Sequence, residues 1–229
     1  HLLSGKPLLS YVINLARGLN PDRIVVVIGH RAEKVMEGAR GKGIGASERI
    51  EFVEQKEQLG TGHAVSQTED ALRDFHGNLL ILSGDVPLLR IKTVRRLIKI
   101  HTDSNASVTV LTAKVDNPAG YGRIVRDSTG RVVNIIEEKD ASQEIKKISE
   151  INSGIYCFKK DFLFDSLKRI DKNNIQKEYY LTDVVSIAFK TSLKIETLTA
   201  KDPHEIMGIN TQGELRIAEE LMQNADCKF

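Results

Sequence analysis

Two short aliphatic runs constrain this chain more than any other feature, Arg23-Ile-Val-Val-Val-Ile-Gly29 and Asn78-Leu-Leu-Ile-Leu-Ser-Gly-Asp85. Both are continuously apolar rather than alternating, and each closes on a glycine, as expected of strands covered on both faces in a parallel sheet. Between them lie two amphipathic segments that suit crossover helices. One is 31–39, apolar at Val35 and Met36; the other is 61–72, apolar at Ala64, Val65, Ala71 and Leu72. Strands alternating with helices predict an α/β fold with a mostly parallel sheet flanked by helices.

The alternation continues through a basic amphipathic helix predicted over 91–101 and a third strand, Ser107-Val-Thr-Val-Leu-Thr-Ala113. After residue 120 the pattern changes. Gly122–Arg126, Val132–Glu137 and Ile151–Phe158 follow closely, with turn residues Asp127, Ser128 and Gly130 between the first two, which predicts a small β-rich insertion. Helices are then expected at 161–170, 180–190 and 213–222, with a strand over 193–198. No Pro/Ser-rich linker or internal repeat divides the 229 residues, so one domain over 1–229 is expected.

Charge narrows the partners. Lys and Arg number 33 against 31 Asp and Glu, a formal net charge of +2, so composition offers no footprint for nucleic acid or for an anionic membrane. The longest aliphatic run, 24–28, is far below the ~20 residues that span a bilayer, and no signal-peptide pattern opens the chain. Cys157 and Cys227 are too few for a disulfide framework, which favours a cytoplasmic location.

In a doubly wound sheet, ligands lie beyond the carboxyl ends of strands. The loops to inspect are therefore Gly29-His30, Gln55 to Gly62, Gly84-Asp85, Ala119 to Gly122, Glu137 to Asp140, and Asn152. Gly60-Thr61-Gly62 offers backbone amides with little steric cover, suited to close approach by a flat or anionic ligand. Asp85 stands at a strand tip before Val86-Pro87; on the residues alone it is either an oxygen ligand for Mg2+ or a turn cap. Gly120-Tyr-Gly122 could serve a sugar hydroxyl or simply open a hairpin, and Glu137 and Asn152 are either sugar partners or satisfied edge polar groups. Gly38-Ala-Arg-Gly-Lys-Gly43 lacks the closing Ser or Thr of a phosphate loop, and the histidines show no zinc-ligand spacing.

Seven words in order, Gln58-Leu-Gly-Thr-Gly-His-Ala64, Gly84-Asp-Val-Pro-Leu88, Gly120-Tyr-Gly-Arg-Ile124, Ile136-Glu-Glu-Lys-Asp140, Glu150-Ile-Asn-Ser-Gly-Ile155, Glu178-Tyr-Tyr-Leu-Thr-Asp183 and Gly208-Ile-Asn210, resemble the sugar-nucleotide pyrophosphorylases. They resemble specifically the N-terminal uridyltransferase domain of the bacterial bifunctional N-acetylglucosamine-1-phosphate uridyltransferases/glucosamine-1-phosphate acetyltransferases. The resemblance runs from His1 to about Met222. It implies a Rossmann-like fold of the nucleotide-diphospho-sugar transferase type, with 1–119 mainly nucleotide-binding and 120–229 mainly sugar-binding.

The implied reaction joins UTP and N-acetylglucosamine 1-phosphate to give UDP-N-acetylglucosamine and pyrophosphate, in cell-wall precursor synthesis. The rivals are another sugar-1-phosphate nucleotidyltransferase and a non-catalytic nucleotide-sugar binding module. The resemblance implies that Gln55 bonds the uracil edge, its amide donating and accepting together, while Gly60 and Thr61 line the ring. It gives Asp85 and Asn210 as Mg2+ ligands, and Gly122, Glu137, Asn152, Tyr180 and Thr182 as sugar-phosphate contacts.

This chain departs from the family at Ser83, Ser153 and Glu138, the last at a position often occupied by histidine. The likeness starts after the family's Gly-rich triphosphate loop and its lysine, so weak binding and turnover are expected of the chain as given. The family's trimer-forming C-terminal β-helix also has no counterpart here, so a monomer is expected.

Overall fold

A computed structural model of the protein describes residues 2–29 and 50–224. The helix expected over 31–39, His30, the Gly38–Gly43 loop and Cys227 lie outside the described residues. The chain opens with a two-residue hairpin, β1 (Leu2–Leu3) and β2 (Lys6–Pro7), followed by α1 (Leu8–Arg17). Next come β3 (Ile24–Ile28), β4 (Ile50–Glu54), α2 (Thr61–Ser66), β5 (Asn78–Ile81), α3 (Ile91–Ser104) and β6 (Val108–Lys114). The second half contains β7 (Arg123–Arg126), β8 (Val132–Ile136), the single turn α4 (Gln143–Lys146), β9 (Glu150–Lys159) and α5 (Lys160–Leu167). It ends with α6 (Asp183–Lys190), β10 (Ile195–Thr199), a 3-10 turn (Pro203–Ile206) and α7 (Gln212–Asn224).

The α/β architecture stands, with a sheet that is mixed rather than mostly parallel. β3 pairs with β4 in parallel, and β10 with β6 in parallel. The ten-residue β9 runs against β5, β6 and β7, and β7 runs against β8, giving the order β10-β6-β9-β7-β8 with β5 on β9. The physical reason lies in the insertion. β7 and β8 are a hairpin whose Asp127–Gly130 turn reverses the chain, so β9 returns in the opposite sense.

Helices cover both faces of this sheet. On one face Val108, Val110, Tyr156 and Phe158 pack with Leu163, Phe164 and Leu167 of α5 and Val184, Val185 and Ala188 of α6. On the other, Leu111, Ala113, Ile155 and Cys157 pack with Val94 and Leu97 of α3 and Leu198 of β10. The switch of β6 from Val110 to Leu111 crosses a register shift, beside which the Ser153 hydroxyl donates to Leu111 O (2.6 Å) and accepts from Ile155 N (3.2 Å). A third, smaller cluster joins Leu3 and Leu8 to Leu88, Ile209 and Ala218, laying α7 over the opening hairpin.

Several boundaries differ from the sequence reading. The helix expected over 61–72 is regular only to Ser66 and continues as turns through Asp74. That expected from Tyr180 begins at Asp183, because Tyr180, Leu181 and Thr182 form a buried turn against other loops. The described helices are too short and polar to cross a membrane.

Candidate active site

Asp85 leaves the sheet just past β5 and lines a cavity of about 240 Å³ together with Ser83, Tyr121, Ser153, Asn210 and Glu214. Asn210, remote in sequence, is brought to the same wall by two devices. Ile209 N donates to Asp85 O (2.9 Å), and the Ile209 side chain is buried in the cluster shared by Leu88 and Ala218. Between them, Gly208 has no side chain; a Cβ there would stand 3.2 Å from Asp85 Oδ2 and 3.5 Å from Asn210 Nδ2. The Asp85 carboxyl and the Asn210 amide thus flank one glycine.

The start of α7 fixes Asn210 from its other side. Thr211 Oγ1 accepts from Glu214 N (3.2 Å), while Glu214 Oε2 accepts from Thr211 N (2.8 Å) and Asn210 N (2.7 Å), a capping box. Those backbone bonds hold the Glu214 carboxyl below the usual range. Burial pushes the Asp85 carboxyl up, and the Glu214 charge adds to the push. A half-buried carboxyl beside a second negative charge, with a side-chain amide across Gly208, is a donor set that fits a hard divalent cation. Mg2+ takes one or two such protein oxygens and completes its shell with water and phosphate. Among the described residues there is no cluster of three or more His, Cys, Asp or Glu side chains able to hold a metal.

A second group lies next along β7 and β9. Thr182 Oγ1 donates to Glu137 Oε1 (3.0 Å), and a Cβ on Gly122 would reach within 3.2 Å of Glu137 Oε2. Asn152 N donates to Gly122 O (2.8 Å), and Asn152 Oδ1 accepts from Gly154 N (3.1 Å). Burial raises the Glu137 carboxyl, reinforced by Asp183, Asp140 and Glu178. Burial, and next the adjoining Asp140 carboxyl, raise the Tyr180 phenol. Gly122, Glu137, Asn152 and Thr182 therefore form one connected cluster. It adjoins the Asp85 cavity through Gly120–Gly122 and Asn152–Ser153.

The glycine loop packs closely against another segment of the chain. Gly60 has φ +108° and ψ 176°, and a Cβ there would stand 2.6 Å from Tyr179 O and 2.8 Å from Glu178 Cβ. Tyr179 N donates to Leu59 O (2.7 Å), Gly62 N to Tyr179 O (2.8 Å), and Leu181 N to Thr61 Oγ1 (3.0 Å). The side of Gly60 that a Cβ would fill is thus packed by the chain's own 178–181 segment, which ties Gly60 and Thr61 to Thr182 and Glu137. Gln55, just beyond β4, turns its amide nitrogen inward to Gly60 O (3.2 Å) and His63 Nδ1 (2.9 Å).

Sequence reasoning gave no site role to Ser83, Tyr121, Ser153 and Glu214, which line the cavity wall. The Thr-x-x-Glu of residues 211–214 carried a readable signal for the last of these. It also missed Arg123 as a positioning group. Arg123 is almost fully buried and donates to Tyr121 O and to Glu138 Oε2 (2.7 Å), clamping the turn that forms one cavity wall. Here Arg123 engages the residue at which the chain departs from the family's frequent histidine.

A cavity at a strand's carboxyl end, with a carboxyl and a side-chain amide converging on it, suits phosphate-transfer chemistry. Comparison with known proteins agrees. The family model described as "Nucleotidyl transferase" matches residues 1–203. The chain belongs to the nucleotidyl transferase family. Among curated proteins, it is 48% identical over 223 residues to the bifunctional protein GlmU of Trichlorobacter lovleyi, covering 97% of this chain and 47% of that protein. It is 45% identical over 215 residues to the protein of the same name from Geobacter metallireducens, covering 94% of this chain and 44% of that one. The chain spans about half the length of the curated relatives it matches.

Among solved structures, a UDP-glucose pyrophosphorylase complexed with UDP-glucose superposes with a TM-score of 0.71 at 16% identity, covering 96% of this chain and 88% of that one. A putative glucose-1-phosphate thymidylyltransferase from Bacillus anthracis, in complex with a sucrose, gives a TM-score of 0.74 at 17% identity, covering 96% and 84%. At that identity the likeness speaks for the fold.

Proposed function

We propose that this nucleotidyl transferase chain joins UTP to N-acetylglucosamine 1-phosphate, forming UDP-N-acetylglucosamine and releasing pyrophosphate, in cytoplasmic cell-wall precursor synthesis. The observation that carries the reading is the convergence of Asp85 and Asn210 on one cavity across Gly208. The identity of 43–48% to proteins named GlmU supports the choice of substrates.

In this reading Asp85 and Asn210 hold Mg2+. When bound, Mg2+ supplies charge neutralisation for the phosphates. A phosphate oxygen of the sugar phosphate attacks the α-phosphorus of UTP, and pyrophosphate departs. Alignment and charge stabilisation dominate such a displacement, so the chain supplies positions rather than a nucleophile. Gln55, Gly60 and Thr61 receive the base from the 1–119 half. Glu137 accepts from sugar hydroxyls, with Thr182 donating to its other oxygen to keep it oriented. Gly122, Asn152 and Tyr180 complete the sugar side in the 120–229 half, and the bare Gly122 leaves room against Glu137.

The test is a competition assay on the full natural protein, pairing UTP, CTP and TTP with N-acetylglucosamine 1-phosphate and glucose 1-phosphate in Mg2+. Turnover should select UTP and the acetylated sugar, and Asp85→Asn should lower kcat by about 10²- to 10³-fold, as loss of one charge-stabilising group does. Preference for glucose 1-phosphate overturns the sugar assignment. Full activity in Asp85→Asn overturns the site.

A further inference from the structure

Counting donors around Gln55 gives a result that differs from the sequence expectation. The backbone N of Gln55 is held by Ile28 O (2.8 Å), which fixes where its side chain starts. Its Nε2 then lies 3.2 Å from Gly60 O and 2.9 Å from His63 Nδ1. A backbone carbonyl can only accept, so the amide end facing Gly60 is the NH2 end. An NH2 group has two hydrogens, and this one spends one on Gly60 O and the other on His63 Nδ1. The Gln55 amide therefore has no donor left. Its Oε1 has no hydrogen-bond partner among the described residues.

His63 must accept at Nδ1 for this arrangement to hold, which places the ring hydrogen on Nε2. The ring is also held from the sides. Tyr179 stacks on it with centroids 6.2 Å apart and planes at 27°. Gln67 Nε2 lies 3.2 Å from His63 Nε2 but is also 3.2 Å from His63 O and from Ser66 Oγ, so it faces acceptors of its own. Gln67 has two other acceptors for its two hydrogens, whereas the second Gln55 hydrogen has only His63 Nδ1, and that assigns the tautomer.

We infer that His63 is a specificity-determining residue that holds Gln55 as an acceptor only, so that the loop selects a base presenting an imide N–H. The inference rests on the reading of Gln55 as the base contact. A free carbonyl oxygen pairs with the N3–H of a 2,4-dioxopyrimidine and meets the bare N3 of cytosine acceptor to acceptor. The base carbonyls then need donors other than this amide. Without the Nδ1 acceptor, the second amide hydrogen is released and the side chain can turn to offer either end. Discrimination would fall while the loop, held by the Tyr179 and Leu181 backbone bonds, keeps its path.

The test uses the full natural protein with UTP and CTP, read both as kcat/KM and as equilibrium binding by calorimetry. His63→Ala should cut the UTP-over-CTP preference by up to about tenfold, the worth of one hydrogen bond, mainly by improving CTP. His63→Asn places a carbonyl oxygen near the Nδ1 position and should restore the preference to within about twofold; His63→Gln, which reaches toward the Nε2 position, should not. A preference unchanged in His63→Ala, an equal loss for both nucleotides, or no rescue by Asn overturns the inference. If the unmodified protein itself fails to prefer UTP, the uridylyl reading falls, and the inference falls with it. That outcome is seen on the unmodified protein alone and is therefore distinct from the others. Should His63→Ala unfold, the contrast between the Asn and Gln variants carries the same decision.

Discussion

Replacing Gly60 by Ala isolates what the glycine loop is for. Two costs add. The backbone at φ +108° and ψ 176° lies in a region essentially restricted to glycine, worth about 1–3 kcal/mol to an L side chain. The new methyl would also press on Tyr179 O at 2.6 Å and Tyr179 N at 2.9 Å, backbone atoms that cannot swing aside, for about 1–3 kcal/mol of overpacking. Gly130→Ala is the matching control, because Gly130 also has positive φ (+85°) but nothing within 4 Å of its would-be Cβ, leaving about 1–2 kcal/mol of backbone cost alone.

The difference, about 2 kcal/mol, corresponds to about 4–8 °C in Tm for a chain of this size. It should be accompanied by lost hydrogen-exchange protection at the Gly62, Tyr179 and Leu181 amides, whose bonds join the two segments. A Gly60→Ala protein as stable as Gly130→Ala, with those amides still protected, would refute the argument that the loop's bare backbone serves internal docking.

Two further outcomes follow from buried charges. Glu138→Gln leaves Arg123, with only 2% of its side chain exposed, facing a neutral amide, and should cost about 2–3 kcal/mol in urea denaturation while loosening the Tyr121 wall of the cavity. His101 is held below its usual pKa by burial and then by Lys159, and its Nε2 has no partner among the described residues. The unfolded chain therefore binds the extra proton first. Stability should be complete above about pH 6.5 and should decline as pH falls through the window below it. The slope of the urea midpoint between pH 7.5 and 5.5 should flatten in His101→Asn, which keeps an acceptor for Thr109, and an unchanged slope would contradict the assignment.

What could be read from the residues was whatever depended on long apolar runs or on dense local words. The runs that became β3 and β5 announced themselves because they are almost wholly aliphatic, Ile-Val-Val-Val-Ile and Asn-Leu-Leu-Ile. β4, Ile-Glu-Phe-Val-Glu, was invisible because two of its five residues are charged and exposed. α1 escaped notice although Leu8, Val12 and Ile13 mark one face, since it starts straight from a two-residue hairpin that no periodicity can reveal. The antiparallel sense of β9 depends on a hairpin turn acting over distance, and strand spacing alone does not encode it.

In the site, Asp85, Glu137 and Asn152 stood out as polar residues that end or interrupt apolar segments, while the roles proposed for them came from the family resemblance. Arg123 and His63 did not stand out, for a related reason. Their role is a bond to another residue's carbonyl or amide, and a single sequence does not display which atoms will face each other.

The box of reciprocal bonds at the start of α7 has an outcome that reaches past helix initiation. Because Glu214 grips the main chain of both Asn210 and Thr211, the carboxyl that begins a helix also sets the tether length of a cavity residue. Shortening that arm by one methylene, as in Glu214→Asp, would tug residue 210 away from its opposite number across Gly208, so an alteration outside the proposed donor pair could disarm it without touching either member.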